Sequence, residues 1–337
     1  MYHRTILPLL IVLSLFLGSC SQPPRYIRFE GFAQGGTYHV TCRIPGSVRE
    51  DRVRRDVDSI LLDIDRTLSG YNKGSLLSRL NAGEDLCLND LFLGCFNRSC
   101  EIWEESGGAF DPSAAPLFDL WGFGFQQKET VTQAAIDSIL QFVGMDLLSL
   151  EEREDGIHLV KADPRIRLNF NAIAQGYSCD VVASYLTELG ATDYLVDIGR
   201  EIICRGKNPA GNDWRIGLDR PADGNYEEGK DLQAIIEVSD CGIVTSGNYR
   251  KFYIEDGQKF AHTIDPATGR PVTHNLLSAT VVAGDATTAD AYATWLMVVG
   301  PGKARDILAG RPDLEALLVY DEAGEMKTFQ TEHIKTQ

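Results

Sequence analysis

Asp290 and Thr294 are the residues in this chain whose types and spacing first suggest chemistry. They lie in "GDATTADAYATW", residues 284–295, a small-residue run leading into an apolar stretch. If that stretch is helical, positions i and i+4 share one face, and a carboxylate and a hydroxyl are aimed at one point. Hard oxygen ligands of this kind suit Mg²⁺, which fills its other positions with water and phosphate oxygens. Two side chains are too few for a structural ion but enough for one held partly by its substrate. The same residues also make an ordinary helix start, with Thr287 or Thr288 as cap and Asp290 in a first turn favoured by the helix dipole. The local sequence allows both.

Three further stretches carry candidate groups. In "LNFNAIAQGYSCD", residues 168–180, a strand ends in small residues and enters a helix near Ala174, with Gly176 permitting close approach. Backbone groups there could bind phosphate or offer a carbonyl to a metal, or simply form a tight strand-to-helix turn. In "FAHTIDPATGRPV", residues 260–272, Asp265, Pro266 and Gly269 mark a turn. His262, just before it, has the unperturbed pKa of a general base, about 6.5, or else is a structural histidine. Tyr71 in "SGYN" follows a long helical pattern, where an aromatic ring either stacks on a planar ligand or covers core. Phosphate-loop, dinucleotide-fingerprint, nucleophile-elbow and H-E-x-x-H signatures are all missing.

The elements that must position these groups read as α+β. "YIRFEGFAQGGTYHVTCRI" predicts two strands broken at Gly35 and Gly36. Val53, Val57, Ile60, Ile64 and Leu68 fall at helical spacing, with Ser47 as the expected cap. "NDLFLGCFNRSCEIWEES" predicts a second helix ended by Gly107 and Gly108, then a loop, "GAFDPSAAPLFDLWGFG". A third helix, "TQAAIDSILQFVG", leads into the hairpin "DLLSLEEREDGIHLVKA". The second half is strand-rich: "RIRLNF" reads as a strand, "AIAQGYSCDVVASYLTELG" as a helix, and most of the remainder as strands and hairpins, one turning at Asp256 and Gly257.

The chain has 337 residues, 44% of them hydrophobic, and a formal net charge of −16. That charge argues against nucleic-acid backbone binding. "MYHRT" and "ILPLLIVLSLFLG" read as the basic start and apolar core of an export signal, too short for a bilayer span of about 20 residues. Leu17, Gly18 and Ser19 before Cys20 fit a bacterial lipoprotein box, with Cys20 as the lipidated residue. The expected organisation is a signal peptide at 1–19, a tether at 20–26 and one domain at 27–337, helix-rich over about 45–145 and strand-rich over about 146–337. Such a protein faces the periplasm from a membrane. Seven other cysteines remain, an odd number, most of them expected to be buried small hydrophobes.

Taken in order, "GGTYHV", "LSGYNKGSLLSRLN", "GAFDPSAAPLFDLWGFG", "NAIAQGYSCDVVASYL", "YLVDIGREI", "VTSGNYRKFY", "HTIDPATGRPV" and "ADAYATWLMVVG" resemble the ApbE-type FAD:protein FMN transferases. The resemblance runs from about Phe32 to about Gly310. It implies a T-fold-like core and a Mg²⁺-dependent reaction that splits FAD, joins FMN to a Thr or Ser of a partner protein and releases AMP. It implies Asp290, Thr294 and the carbonyl of Ala172 as metal ligands. Flavin contacts would fall at Gln34, Tyr71 (by stacking), Ala109, Phe110, Asp111, Asn169, Gln175 and Ile264, with Asp290 and His262 as catalytic candidates. The acceptor would be a subunit of a membrane redox complex. Five positions depart from the family's pattern: Met is common where Gln34 stands, Asp where Asn169 stands, Lys or Glu where Gln175 stands, and Gly-Asp where Arg200 and Glu201 stand. The changes at Asn169 and Gln175 remove charge but keep hydrogen-bonding capacity. Two other activities share these ligands: hydrolysis of FAD to FMN and AMP, and flavin binding without turnover.

Overall fold

The computed structural model describes residues 22–125, 130–222, 224–225, 229–249, 252–255, 258–334 and 336. Cys20, the signal-like stretch before it and the turn at Asp256 and Gly257 lie outside the described residues.

Strands β1 (Arg25–Ala33) and β2 (Gly36–Ile44) form a hairpin that reverses at Gln34 and Gly35, one residue earlier than the glycine pair suggests. Both turn residues have positive φ, 52° and 80°, the backbone that tight hairpins require. Helix α1 (Glu50–Leu68) buries Val53, Val57, Leu61, Ile64 and Leu68. Ser47 is not its cap: Arg49 holds that position without a side-chain bond, and Glu50 and Asp51 complement the first turn by charge. Helix α2 (Leu76–Asn81) is capped by Ser75, and α3 (Asp90–Ser106) by Asn89, with left-handed Gly107 ending it. The segment read as a loop contains a short helix, α4 (Ala115–Leu120), with Pro116 in its first turn, where a missing N–H costs nothing. Helix α5 (Gln133–Leu140) starts at Thr132, and β3 (Leu148–Arg153) pairs with β4 (Gly156–Lys161).

"RIRLNF" is not a strand. The Asn81 side chain donates to the Leu168 carbonyl and accepts from its N–H, both at 2.8 Å, and Asn169 N–H goes to the Pro112 carbonyl at 2.8 Å. The backbone groups a ladder would use are thus taken by a side chain and a loop, leaving a single bridge between Arg167 and Ala114.

The chain continues through α6 (Ala174–Glu188), β5 (Tyr194–Ile198), β6 (Glu201–Arg205), β7 (Trp214–Asp219), β8 (Leu232–Val238) and β9 (Cys241–Gly247). Short pairs β10 (Phe252–Glu255) with β11 (Gln258–Ala261), and β12 (Ile264–Asp265) with β13 (Arg270–Pro271), follow. Strand β14 (Leu276–Ala283), helix α7 (Ala286–Ala309), β15 (Glu315–Glu322) and β16 (Glu325–Gln330) complete the fold.

Eight strands form one sheet in the order β1-β2-β5-β6-β9-β14-β15-β16, every neighbouring pair antiparallel. Alternation along its strands serves two cores. Val244, Ala316 and Leu318 belong to the cluster around α7, whereas Ile243, Leu317 and Val319 pack beneath β7 and β8 with Trp214, Ile216 and Ile236. The architecture is α+β, as the sequence implies. Among the described residues no helix is long and apolar enough to cross a membrane. The seven described cysteines are free thiols, and Cys42, Cys95, Cys179, Cys204 and Cys241 are buried, in line with their expected role as small hydrophobes.

Candidate active site

The site is built where α6 meets the start of α7. A side chain at Gly176 would collide with the Ala286 carbonyl and stand 2.8 Å from Asp290 Cβ, and one at Gly242 would overlap the backbone at Asp285 and Ala286. These two glycines let α7 seat its first turns against both α6 and the sheet. Ala286, Ala289, Ala291 and Ala293 are fully buried in that contact.

Neither Thr287 nor Thr288 caps α7; Asp285 does, its Oδ1 accepting from Thr288 N–H at 2.6 Å and its Oδ2 from the Thr288 hydroxyl at 2.8 Å. Asp180 of α6 supplies a second cap from outside the helix. It accepts from the N–H groups of Ala286 and Thr287, at 2.9 and 2.8 Å, and from the Thr287 hydroxyl. With the helix start thus satisfied by two other carboxylates, Asp290 falls in the second turn and has no capping duty. Its Oδ2 accepts from Gly176 N–H at 3.1 Å. Thr294 stands one turn further on the same face, its Oγ1 3.3 Å from Ser246 Oγ at the end of β9. Ala172 lies in the turn that closes on the Phe170 carbonyl and opens α6.

The electrostatics of this junction are unfavourable for bare carboxylates. Burial pushes the Asp290 carboxyl up to about 7, partly offset by the Gly176 N–H. Glu201, at the start of β6, is held well above the ordinary carboxylate range by burial and then by the charge of Asp290. Its Oε2 is shielded from solvent and has no hydrogen-bond partner. An unpaired buried oxygen beside a second buried acid costs several kcal/mol unless a proton or a cation neutralises it. Burial also raises Asp180, to about 6. Among the described residues no group of three or more His, Cys, Asp or Glu could hold a metal. The side-chain donors available are instead the Asp290 carboxylate and the Thr294 hydroxyl, with Glu201 beside them. That hard-oxygen set fits Mg²⁺ and no soft metal.

Of the flavin candidates, Gln34 reaches α6 by a hydrogen bond, and Asn169, Tyr71 and the 109–111 segment are linked to one another. Gln34 Nε2 donates to Ser178 Oγ on α6 at 2.6 Å, drawing the β1–β2 turn over the helix. Gln175 Nε2 lies against Gly199, in the turn between β5 and β6. Asn169 is buried, its Oδ1 accepting from Asn171 N–H at 2.9 Å, and Asn171 Nδ2 donates to Tyr71 Oη at 3.2 Å. Tyr71 is 64% exposed and rests edge-on against Phe125, with ring centroids 4.9 Å apart, so one face is open for stacking. The Asn169 N–H bond to Pro112 attaches the 109–111 segment. There Ala109 is half-buried, the Phe110 side chain is core, and the Phe110 N–H donates to Ser106 Oγ at 3.0 Å. Asp111 accepts from Ser113 N–H and Oγ and from Trp103 Nε1, and burial raises it to about 6.

His262 and Ile264 approach from the other side. Thr263 Oγ1 donates to Asn248 Oδ1 at 2.6 Å, two residues beyond the serine that meets Thr294. The His262 ring lies edge-on to Phe123, 6.4 Å away, at the end of a ladder of stacked rings, Phe123, Tyr253, Phe260 and Trp121. Ile264 is a core residue beside Trp121 and Ile136, so its side chain faces away from any ligand. Sequence reasoning passed over Asp180, Ser246 and Asp285. The first was detectable, because Gly176 and Asp180 are four residues apart and share the α6 face that meets α7.

Comparison with known proteins gives this geometry a family. The ApbE family profile matches residues 35–318. A protein of Haemophilus influenzae named FAD:protein FMN transferase is 32% identical over 306 residues, covering 88% of this chain and 87% of its own. The solved flavin transferase ApbE of Vibrio cholerae superposes with a TM-score of 0.80 at 30% identity, over 92% of this chain and 98% of its own. The apo flavinyl transferase ApbE of Pseudomonas stutzeri gives 0.80 at 32% identity, over 92% and 95%. With the family profile spanning residues 35–318 and relatives of 30% identity or more covering most of its length, the chain belongs to the ApbE family.

Proposed function

We propose that this chain is a FAD:protein FMN transferase that uses Mg²⁺, modifies a Thr or Ser hydroxyl, and is anchored to a membrane of the bacterial envelope through lipid on Cys20, facing the periplasm. The observation that carries the site assignment is buried Asp290 beside half-buried Glu201, whose Oε2 is shielded from solvent and satisfied by nothing in the protein. Asp290, Thr294 and the Ala172 carbonyl would hold the cation. When bound, it would neutralise the pyrophosphate and draw charge toward the leaving group.

The chain's own residues supply orientation. Tyr71 offers its open face to the isoalloxazine, and Gln34, Asn169 and Gln175 present amides to its polar edges or to the ribityl chain. The backbone of the 109–111 segment lines the same side. The acceptor oxygen attacks the phosphorus of the FMN half, the bond from that phosphorus to the bridging oxygen breaks, and AMP leaves with that oxygen. His262 takes the hydroxyl proton in this reading, with its ring held edge-on to Phe123 at the end of the aromatic ladder. The acceptor is a membrane redox subunit.

The test is to mix the purified chain with FAD, Mg²⁺ and an acceptor carrying a flavinylation threonine, then weigh the acceptor and quantify free nucleotides. Transfer gives an acceptor heavier by one FMN less water, with one AMP per event. Free FMN and AMP without a heavier acceptor would make the chain a hydrolase. Bound FAD with no AMP would make it a flavin carrier.

A further inference from the structure

Away from this site, two cysteines face each other across the sheet. Cys204 of β6 and Cys241 of β9 are directly opposite in the antiparallel register. Residues so paired have Cα atoms about 4.5–5.5 Å apart, inside the roughly 4.4–6.8 Å that a disulfide spans. Directly opposed side chains project from the same face of the sheet, and both thiols sit in the cluster roofed by β7 and β8. Each is buried, and their mutual interaction lowers Cys204 and raises Cys241 relative to an ordinary thiol. The other strand cysteine, Cys42, faces Ile27 and Tyr194 instead. Residues 205–240, between the pair, contain the whole β7–β8 excursion.

We propose that Cys204 and Cys241 form a reversible disulfide that ties together the two ends of the β7–β8 excursion. The oxidant is an external disulfide, either a small molecule such as oxidised glutathione or a protein dithiol oxidant. Its S–S bond breaks, its sulfurs leave as two thiols carrying the two protons from Cys204 and Cys241, and a new bond joins the two Sγ atoms. Two electrons pass from the cysteine pair to the external disulfide. Bonded, the pair fixes the register of β6 on β9, the strands that carry Glu201 and Ser246 into the active site.

The full chain is equilibrated in glutathione buffers of graded oxidation, quenched with an alkylating agent and digested without reduction. A peptide linking Cys204 to Cys241 is expected, with an intact mass lower by two hydrogens that reduction restores. The oxidised chain should also melt at a higher temperature than the reduced one, a difference that Cys204→Ser abolishes. Should that variant fail to fold, the wild-type peptide map decides alone. Recovery of both cysteines as alkylated thiols in fully oxidising buffer, or of each carrying glutathione separately, overturns the proposal.

Discussion

The α6–α7 junction and the turn at Asp265 are both functional candidates, and they are built in opposite ways. In the turn the bonds that set the backbone shape are local, and one long-range bond, from Trp121 Nε1 to the Gly269 carbonyl at 2.8 Å, anchors it. Asp265 accepts from Ala267, Thr268 and Gly269 N–H groups at 2.8–3.2 Å, Gly269 takes a φ of 65°, and five consecutive residues determine the shape. At the junction the bonds join residues more than a hundred positions apart: Gly176 to Asp290, Asp180 to Ala286 and Thr287, Gln34 to Ser178. Local hydrogen bonding makes a turn without burying anything costly. Long-range packing can hold a carboxylate out of water against its preference, and that is where a charged ligand gains most.

Breaking the junction should therefore cost far more than breaking the turn. Asp290→Ala should lower FMN transfer by about 10³-fold or more while the chain stays folded, read from acceptor mass and a thermal melt. Gly176→Ala should destabilise by roughly 2–4 kcal/mol despite alanine's better helix propensity, because the new methyl group meets backbone on α7. A denaturant midpoint unchanged from wild type would show that α7 can yield.

Asp180 sharpens the comparison through pH. Its folded carboxyl titrates near 6 against an ordinary value of 3.8, so the folded state holds more protons between them. Its contribution is complete below about pH 4 and is lost as pH rises through 6, a change of roughly 1–3 kcal/mol. The wild-type urea midpoint should accordingly fall more steeply from pH 4 to 7 than that of Asp180→Asn. Glu201→Gln should weaken Mn²⁺ binding by about tenfold while raising the stability of the metal-free chain by about 1 kcal/mol, since the cost of holding a buried acid protonated above its ordinary range is removed. Equal Mn²⁺ affinity in that variant would detach Glu201 from the cation. Last, Asp265→Ala should cost only about 0.5–1 kcal/mol in a thermal melt, as a local turn would.

The same contrast explains what the sequence disclosed. The turn "DPATG", the hairpin at Gln34 and the helix stop at Gly107 were legible because their causes are local. The pairing of Asp290 with Thr294 was legible from helical spacing, but the cap was misplaced, since both Asp285 and the distant Asp180 outcompete the threonines for the helix start. "RIRLNF" has strand-like residues and failed for a tertiary reason, the Asn81 amide that takes both backbone groups of Leu168. The unsatisfied oxygen of Glu201 could not be inferred at all, because nothing in its neighbours reveals that the α6–α7 packing will seal it.

The spatial order of the large sheet repeats the order of the chain. Each strand after β5 can dock on one already in place as it is synthesised, so most of the sheet grows outward from a settled edge without waiting for later sequence. One exception follows from the ranges: β2 ends at Ile44, and its partner β5 begins at Tyr194. Until the intervening helices have been delivered, the first hairpin carries an unpaired inner edge, and that interval is when the nascent chain is most open to mispairing with a neighbour.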